Sequence, residues 1–452
     1  MKSRYLIVVF FISVVLVSLS ACAEHSTENQ PVVLSNDGGW CWFEDPRAII
    51  HDNKLIVGTV ANGRYDSLRA GDIEALIYDL RNNQVIRVEL YDRLQPDDHD
   101  SPVFLVRPDE RYLTLFAKHG NENNFYYRIS HPDQPARWGE IQEYAPSEST
   151  RLTYSNLYML SAEDNRVYDF FRGLDNSYKP SYVYSDDLGE SWQTGNVYIQ
   201  VPAEMRHRPY VRYASDNTDE IHMVYTEGHP RVYDNSIYHI FYRDGMLHAS
   251  DGSPITSLED GLTRPQEGTL VYQGDSNHVA WTVDIELDDE DYPYIAYSVQ
   301  VGSAGLPPGE GGEDIRYRYA RWDGTQWNDY PLAYAGSKLY AGEDDYSGLV
   351  ALDPDNPDVL YISTDADPES GEPLISEADG ERHYEIFKGV TADGGGSWNW
   401  TPITEHSTED NLRPIVPEWN ADETMLLWLK GEYRSYTDYS LSVMALRLES
   451  TN

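Results

Sequence analysis

The chain holds only two cysteines in 452 residues, Cys22 and Cys41. That excludes a disulfide-stapled fold and a clustered-cysteine metal centre, so stability has to come from a buried core. Basic residues are also scarce: 34 Lys and Arg stand against 76 Asp and Glu, a formal charge of -42. A surface of that sign argues against nucleic-acid binding and suits a salty medium in which self-repulsion is screened. Long helical periodicity is missing as well. One apolar run stands out, Tyr5 to Leu19, preceded by Lys2 and Arg4 and followed by Leu19-Ser20-Ala21-Cys22. It is shorter than the roughly 20 residues of a spanning helix and reads as a secretory signal ending in a lipobox. The expected layout is a signal peptide over 1–21, a polar linker over 22–35 beginning at a lipidated Cys22, and one domain over 36–452. The absence of Asp after Cys22 fits retention in an outer membrane, facing the cell surface or the periplasm.

What the sequence has in quantity is aromatic residues and turns: 36 Tyr, 11 Trp and 25 Pro. Short segments such as Tyr112–Phe116, Arg166–Phe171, Ile221–Tyr225 and Tyr292–Tyr297 have strand length and composition. Between strands a turn recurs, Ser185-Asp-Asp-Leu-Gly-Glu-Ser-Trp192 and Thr391-Ala-Asp-Gly-Gly-Gly-Ser-Trp398, with a looser version at Arg321 to Trp327. In this Asp-box-like hairpin the Asp satisfies turn amides, the Gly supplies positive φ and the Trp packs between sheets, so the motif serves folding. A hairpin unit repeated along about 415 residues predicts an all-β, seven-bladed β-propeller with roughly 55 to 60 residues per blade. Cys41 is expected as a small buried hydrophobe.

Several residues stand where chemistry is plausible. His99 leads into one predicted strand and His119 follows the next, so a hairpin would bring them together, and His suits proton transfer near neutral pH. Arg172 ends the apolar strand Phe170-Phe171-Arg172, where a guanidinium suits bidentate capture of a carboxylate. Tyr154 and the Arg208-Pro209-Tyr210 segment repeat the pairing of phenol and cation. Solvated turn histidines, a surface Arg and packed tyrosines are the plain alternative.

The ordered set His99-Asp-Ser-Pro, Lys118-His119, Phe171-Arg172-Gly173, Arg208-Pro209-Tyr210, Gly228-His229-Pro230, Tyr346-Ser347-Gly348 and Arg413-Pro414-Ile415-Val416 resembles the BNR-4 propellers. Within them it is most similar to the ulvan lyases of polysaccharide lyase family 25, from about Gly38 to Leu446. The resemblance implies a canyon that takes an acidic sulfated algal polysaccharide and cleaves the 4-linked bond between sulfated rhamnose and a uronic acid by β-elimination. It implies that Arg172 neutralises the carboxylate, that His99 and His119 serve as base or carboxylate contact, that Tyr154 is the acid or a shared acid and base, and that Tyr210, Arg208 and Lys118 bind substrate. Tyr158 and Tyr213 lie close enough in sequence to compete with Tyr154 and Tyr210. Relatives of this type hold a structural zinc or calcium ion near the canyon, and His229, Asp234 and His239 are the candidate ligands here. Two other classes remain open on the sequence: an Asp-box glycoside hydrolase of the sialidase type, and a non-catalytic glycan-binding lipoprotein.

Overall fold

A computed structural model describes residues 30–449 apart from 133, 176, 202–207, 303–305 and 308. The signal segment and the lipobox Cys22 lie outside the described residues. Seven antiparallel sheets follow one another along the chain, and no helix among the described residues is long and apolar enough to cross a membrane. Blade one runs from Ala48–His51 to Gln84–Tyr91, blade two from Val103–Val106 to Gln142–Tyr144, and blade three from Leu157–Leu160 to Gln193–Val197. Blade four spans Val211–Ser215 to Thr269–Tyr272, blade five His278–Leu287 to Trp327–Gly336, and blade six Val350–Leu352 to Asn399–Pro402. Blade seven is built from Asp410–Ile415, Glu423–Ser435 and Asp438–Glu449, and its outer strand is Val32–Ser35.

That last pairing corrects the expected linker of 22–35. Val32 lies opposite Ala445 and Val33 opposite Met444, so the first strand of the domain completes its last blade and closes the ring. The reason is edge protection: without Val32–Ser35, the strand Asp438–Glu449 would present an unpaired edge.

The Asp-box hairpins are built as the sequence predicts, twice over. Asp187 accepts the Ser191 amide at 2.8 Å and its hydroxyl at 2.6 Å; Asp393 accepts the Ser397 amide at 2.9 Å and its hydroxyl at 2.8 Å. Gly189 and Gly395 take φ of 86° and 103°, and Trp192 and Trp398 are buried. A tight turn with a left-handed residue and an anchored Trp fixes the register of each hairpin locally, which is why such degenerate repeats still form equivalent blades.

The first strands of neighbouring blades pack on one another around the axis. The segments that lead into those strands therefore converge at one mouth of the ring. These are Trp40 to Phe43 before blade one, His99 before blade two, Tyr154 before blade three, Tyr210 before blade four and Tyr346 before blade six. Residues hundreds of positions apart meet there, on loops held by rigid sheets.

Candidate active site

The segment Asp97-Asp98-His99-Asp100 forms a single buried 3-10 turn over Asp98–Asp100, and each acid has a separate task. Asp97 accepts the His99 amide at 3.0 Å and caps the turn. Asp98 receives Arg413 at 2.6 Å and the Tyr433 hydroxyl at 2.7 Å, tying blade seven to blade two. Asp100 accepts the His119 amide at 2.8 Å. This acidic run is the bracket that joins the two histidines.

The imidazoles of His99 and His119 stack with centroids 4.1 Å apart and planes 8° from parallel. Tyr154 continues the stack at 5.7 Å from His99 and 6.1 Å from His119, and Tyr436, from the last hairpin, meets both rings edge-on at 5.2 and 5.5 Å. Tyr436 is 37% exposed and is a site residue that the sequence reading missed. Tyr154 sits at φ 69°, a left-handed conformation that costs a non-glycine residue on the order of 1 kcal/mol. The neighbouring backbone holds it: Thr153 and Arg172 exchange both amide hydrogen bonds at 3.0 Å.

Arg172 is 6% exposed and lies between two phenol rings, 4.3 Å from the Tyr154 centroid and 4.5 Å from that of Tyr210. Its Nε and Nη1 have no hydrogen-bond partner, and no carboxylate among the described residues forms an ion pair with it. A buried guanidinium without a counter-ion is costly, and an incoming anion would relieve it. Phe43 stacks on Tyr154 at 5.6 Å and touches Tyr210 at 4.8 Å, so the site has an aromatic floor continued by Trp42, Trp281 and Tyr346. Tyr158 and Tyr213, by contrast, bond to each other, Tyr158 hydroxyl to Tyr213 carbonyl at 3.2 Å, inside the packing of blades three and four.

These surroundings separate the titrating groups. Burial opposes charge on His99, but its surroundings, in which the Asp98 carboxylate lies 2.8 Å from Nδ1, outweigh it and carry its pKa well above the usual imidazole value. Burial and then the charge of His99 bring His119 down to about 4. Burial pushes Tyr154 well above the usual phenol range, whereas in Tyr210 Arg172 and Arg208 overcome burial and bring the hydroxyl to about 8. The site thus pairs a cationic with a neutral imidazole, and a firmly protonated with an acidic phenol. Divergence of this kind is how a site assigns acid and base.

Of the remaining expected site residues, Arg208 lies beside Tyr210 and Tyr178. Lys118 turns instead to Glu122, with Nζ 2.5 Å from Oε1, so its charge is already matched. Cys41 is fully buried beneath His99, as expected.

The expected metal ligands do not converge. His239 is fully buried, with Nε2 3.1 Å from His222 Nδ1 and Nδ1 2.9 Å from Ser250 Oγ, and Asp234 is exposed. His229 belongs to the aromatic cluster, packed on Tyr210 and Trp281. The reading failed because His229 caps a turn at the canyon end of blade four while His239 lies within the strand Ile237–Arg243, its ring against Trp327. His229 clusters instead with Glu343 and Asp345, but Arg231 already engages Glu343. His229, Asp234 and His239 therefore do not fit a zinc or calcium ion.

Fold and site together define a seven-bladed Asp-box propeller with a cluster of aromatic rings and buried cations at one mouth of the ring. A model of the BNR repeat-containing family matches residues 66–335, more than half of the sequence, and the chain belongs to that family. No curated protein matches it. Among solved structures, the chain is similar to a polysaccharide lyase PL25 ulvan lyase bound to -[GlcA(1-4)Rha3S]-, at 14% identity and a TM-score of 0.67, covering 92% of this chain and 95% of that one. It is also similar to the polysaccharide lyase Uly1, at 11% identity and a TM-score of 0.57, covering 90% of each. At such identities the likeness establishes the shared seven-bladed fold.

Proposed function

We propose that the protein is a polysaccharide lyase that cleaves an ulvan-type acidic polysaccharide by β-elimination at the 4-linked uronate. The observation that carries this reading is Arg172: a buried guanidinium held between two tyrosines, with no carboxylate partner among the described residues, beside two stacked histidines. Elimination requires that combination. The uronate carboxylate must be neutralised so that its α-proton becomes acidic, and Arg172, with cationic His99 alongside, supplies the charge. The neutral His119 then takes the C5 proton through Nε2, the C5–H electron pair becomes the C4=C5 double bond, and the C4–O4 bond breaks. Tyr154, kept protonated by burial, gives its proton to O4, and solvent returns the proton from His119 to Tyr154 between turnovers. Tyr210 lines the carboxylate subsite through its contact with Arg172.

The cationic canyon also answers the charge problem. A polyanion is repelled by the average surface, yet Arg172, Arg208 and His99 gather positive charge at the one place where the chain must bind. We further infer anchoring to an outer membrane through lipid on Cys22, which rests on the lipobox alone; metabolic labelling with a fatty acid, lost in Cys22→Ala, is its test.

Incubating the purified chain with ulvan, with other uronate polysaccharides and with a sialoside tests the function. The expected result is ultraviolet absorbance from an unsaturated uronate with ulvan. Reducing ends without that absorbance would mean hydrolysis, and tight binding without any product would mean a glycan-binding module.

A further inference from the structure

The two histidines at the canyon share one carboxylate. Asp97 is 1% exposed; its Oδ1 lies 2.9 Å from His99 Nδ1 and its Oδ2 3.0 Å from His119 Nδ1. Neither Nε2 has a partner among the described residues. We propose that Asp97 is a positioning residue for the elimination: a single carboxylate that, by accepting from both Nδ1 atoms, makes His119 present an unprotonated Nε2 and His99 a protonated one. The assignment rests on the lyase reading for its function, though not for its geometry.

Two imidazoles stacked at 4.1 Å repel each other strongly if both are charged, so the pair carries a single positive charge. Its location follows from the count of carboxylates. His99 Nδ1 lies 2.8 Å from Asp98 Oδ1 as well as against Asp97, whereas the His119 side chain pairs with Asp97 alone. His99 also faces Cys41, Tyr154, Tyr346 and, more distantly, Glu44, while His119 faces Arg172 and His99, both of which oppose its protonation. Tyr436 lies edge-on to both rings, Asp100 takes the His119 amide, and Gln95 reaches Asp97 Oδ2 at 3.4 Å. In this environment the hydrogen on each Nδ1 is fixed by Asp97, and what differs between the rings is the hydrogen on Nε2. A carboxylate under a histidine is a common orienting device. Here one carboxylate orients two rings and, because it can neutralise only one charge, keeps their protonation states apart.

The experiment uses the whole chain with 15N-labelled histidine. In the wild type at neutral pH, His119 should appear as the neutral Nδ1–H tautomer and His99 as an imidazolium; a neutral Nε2–H signal for His119 would overturn the assignment whatever the activity. Asp97→Asn, whose side chain accepts from one ring and donates to the other, should lose about 100-fold in kcat with KM changed less than about 3-fold. Its alkaline pH limb should move to lower pH by about one unit, because His99 loses an anion that raises its pKa. Asp97→Glu should recover to within about 10-fold of wild type. Unchanged histidine spectra and pH limbs in Asp97→Asn would sink the proposal, as would Asp97→Glu being as inactive as Asp97→Asn with the fold intact by circular dichroism. If the wild type releases no unsaturated uronate from any polymer, the lyase reading fails, and the spectra still decide what Asp97 does.

Discussion

The molecule contains two histidine pairs, and they are built in opposite ways. His99 and His119 stack face to face, joined through Asp97, and both Nε2 atoms are without a partner among the described residues. His222 and His239, on neighbouring strands of blade four, bond directly, and their four ring nitrogens are all used. Trp327 donates to Ser250, and Ser250, His239, His222 and Glu220 continue one chain of hydrogen bonds, with heavy-atom distances of 2.9 to 3.1 Å. The comparison teaches what separates a reactive buried histidine from a structural one. Burial alone does not separate them, since His99 is as buried as His222 and His239 and only His119 is partly exposed; the difference is whether a nitrogen is left over after the fold has been satisfied.

The largest expected effect cuts between the pairs. His119→Ala should lower kcat/KM on the polysaccharide by about 10³-fold while the melting temperature stays near that of wild type. His239→Ala should do the reverse, with kcat within about twofold and stability lower by roughly 2–3 kcal/mol, since His222 and Ser250 lose buried partners. Steady-state kinetics with thermal melts on both variants read this out. A folded His239→Ala chain without turnover would break the comparison. Next comes Arg172→Lys, which keeps the charge but gives up the planar fork; a loss of about 10²-fold in kcat is expected, and activity near wild type would show that charge alone suffices.

Much of this architecture was legible because its determinants are local. The Asp-box turns announce the blades, and His99, His119, Tyr154, Arg172 and Tyr210 stand next to strands whose pattern gives them away. What was not legible depends on contacts between blades far apart in sequence. Tyr436 reaches the histidines from the final hairpin, Arg413 reaches Asp98 from blade seven, and Val32–Ser35 finds its partner at the other end of the chain. The proposed metal trio went wrong for the same reason in reverse. Residues close in sequence were assumed close in space, but a turn at the canyon and a mid-strand position hold His229 and His239 apart. Asp97 had a signal, an acidic residue two before a histidine, but such residues ordinarily cap turns, and only the 3.0 Å approach of His119 gives it a second role.

The pairs also respond to pH with opposite signs where their charges differ. Burial and His222 hold the His239 pKa well below 6.5, so the unfolded chain takes a proton that the folded one refuses. Stability from that group is present above the unfolded value and is lost as pH falls below it, by at most about 1.4 kcal/mol per pH unit. His99 is raised, so its contribution is complete below the unfolded value and is lost as pH rises through the folded one. His239→Phe, which removes the first term only, should flatten the decline of the melting temperature between pH 7 and 5 without moving the activity limbs. The smallest effect is expected at the outer end of the chain of bonds. Glu220→Gln keeps an acceptor for His222 and gives up the ion pair with a partly exposed Arg243, a change of less than about 1 kcal/mol. A larger loss would mean that Glu220 compensates charge on His222 rather than merely accepting its hydrogen, and the structural pair would then share with the canyon pair a dependence on carboxylate charge.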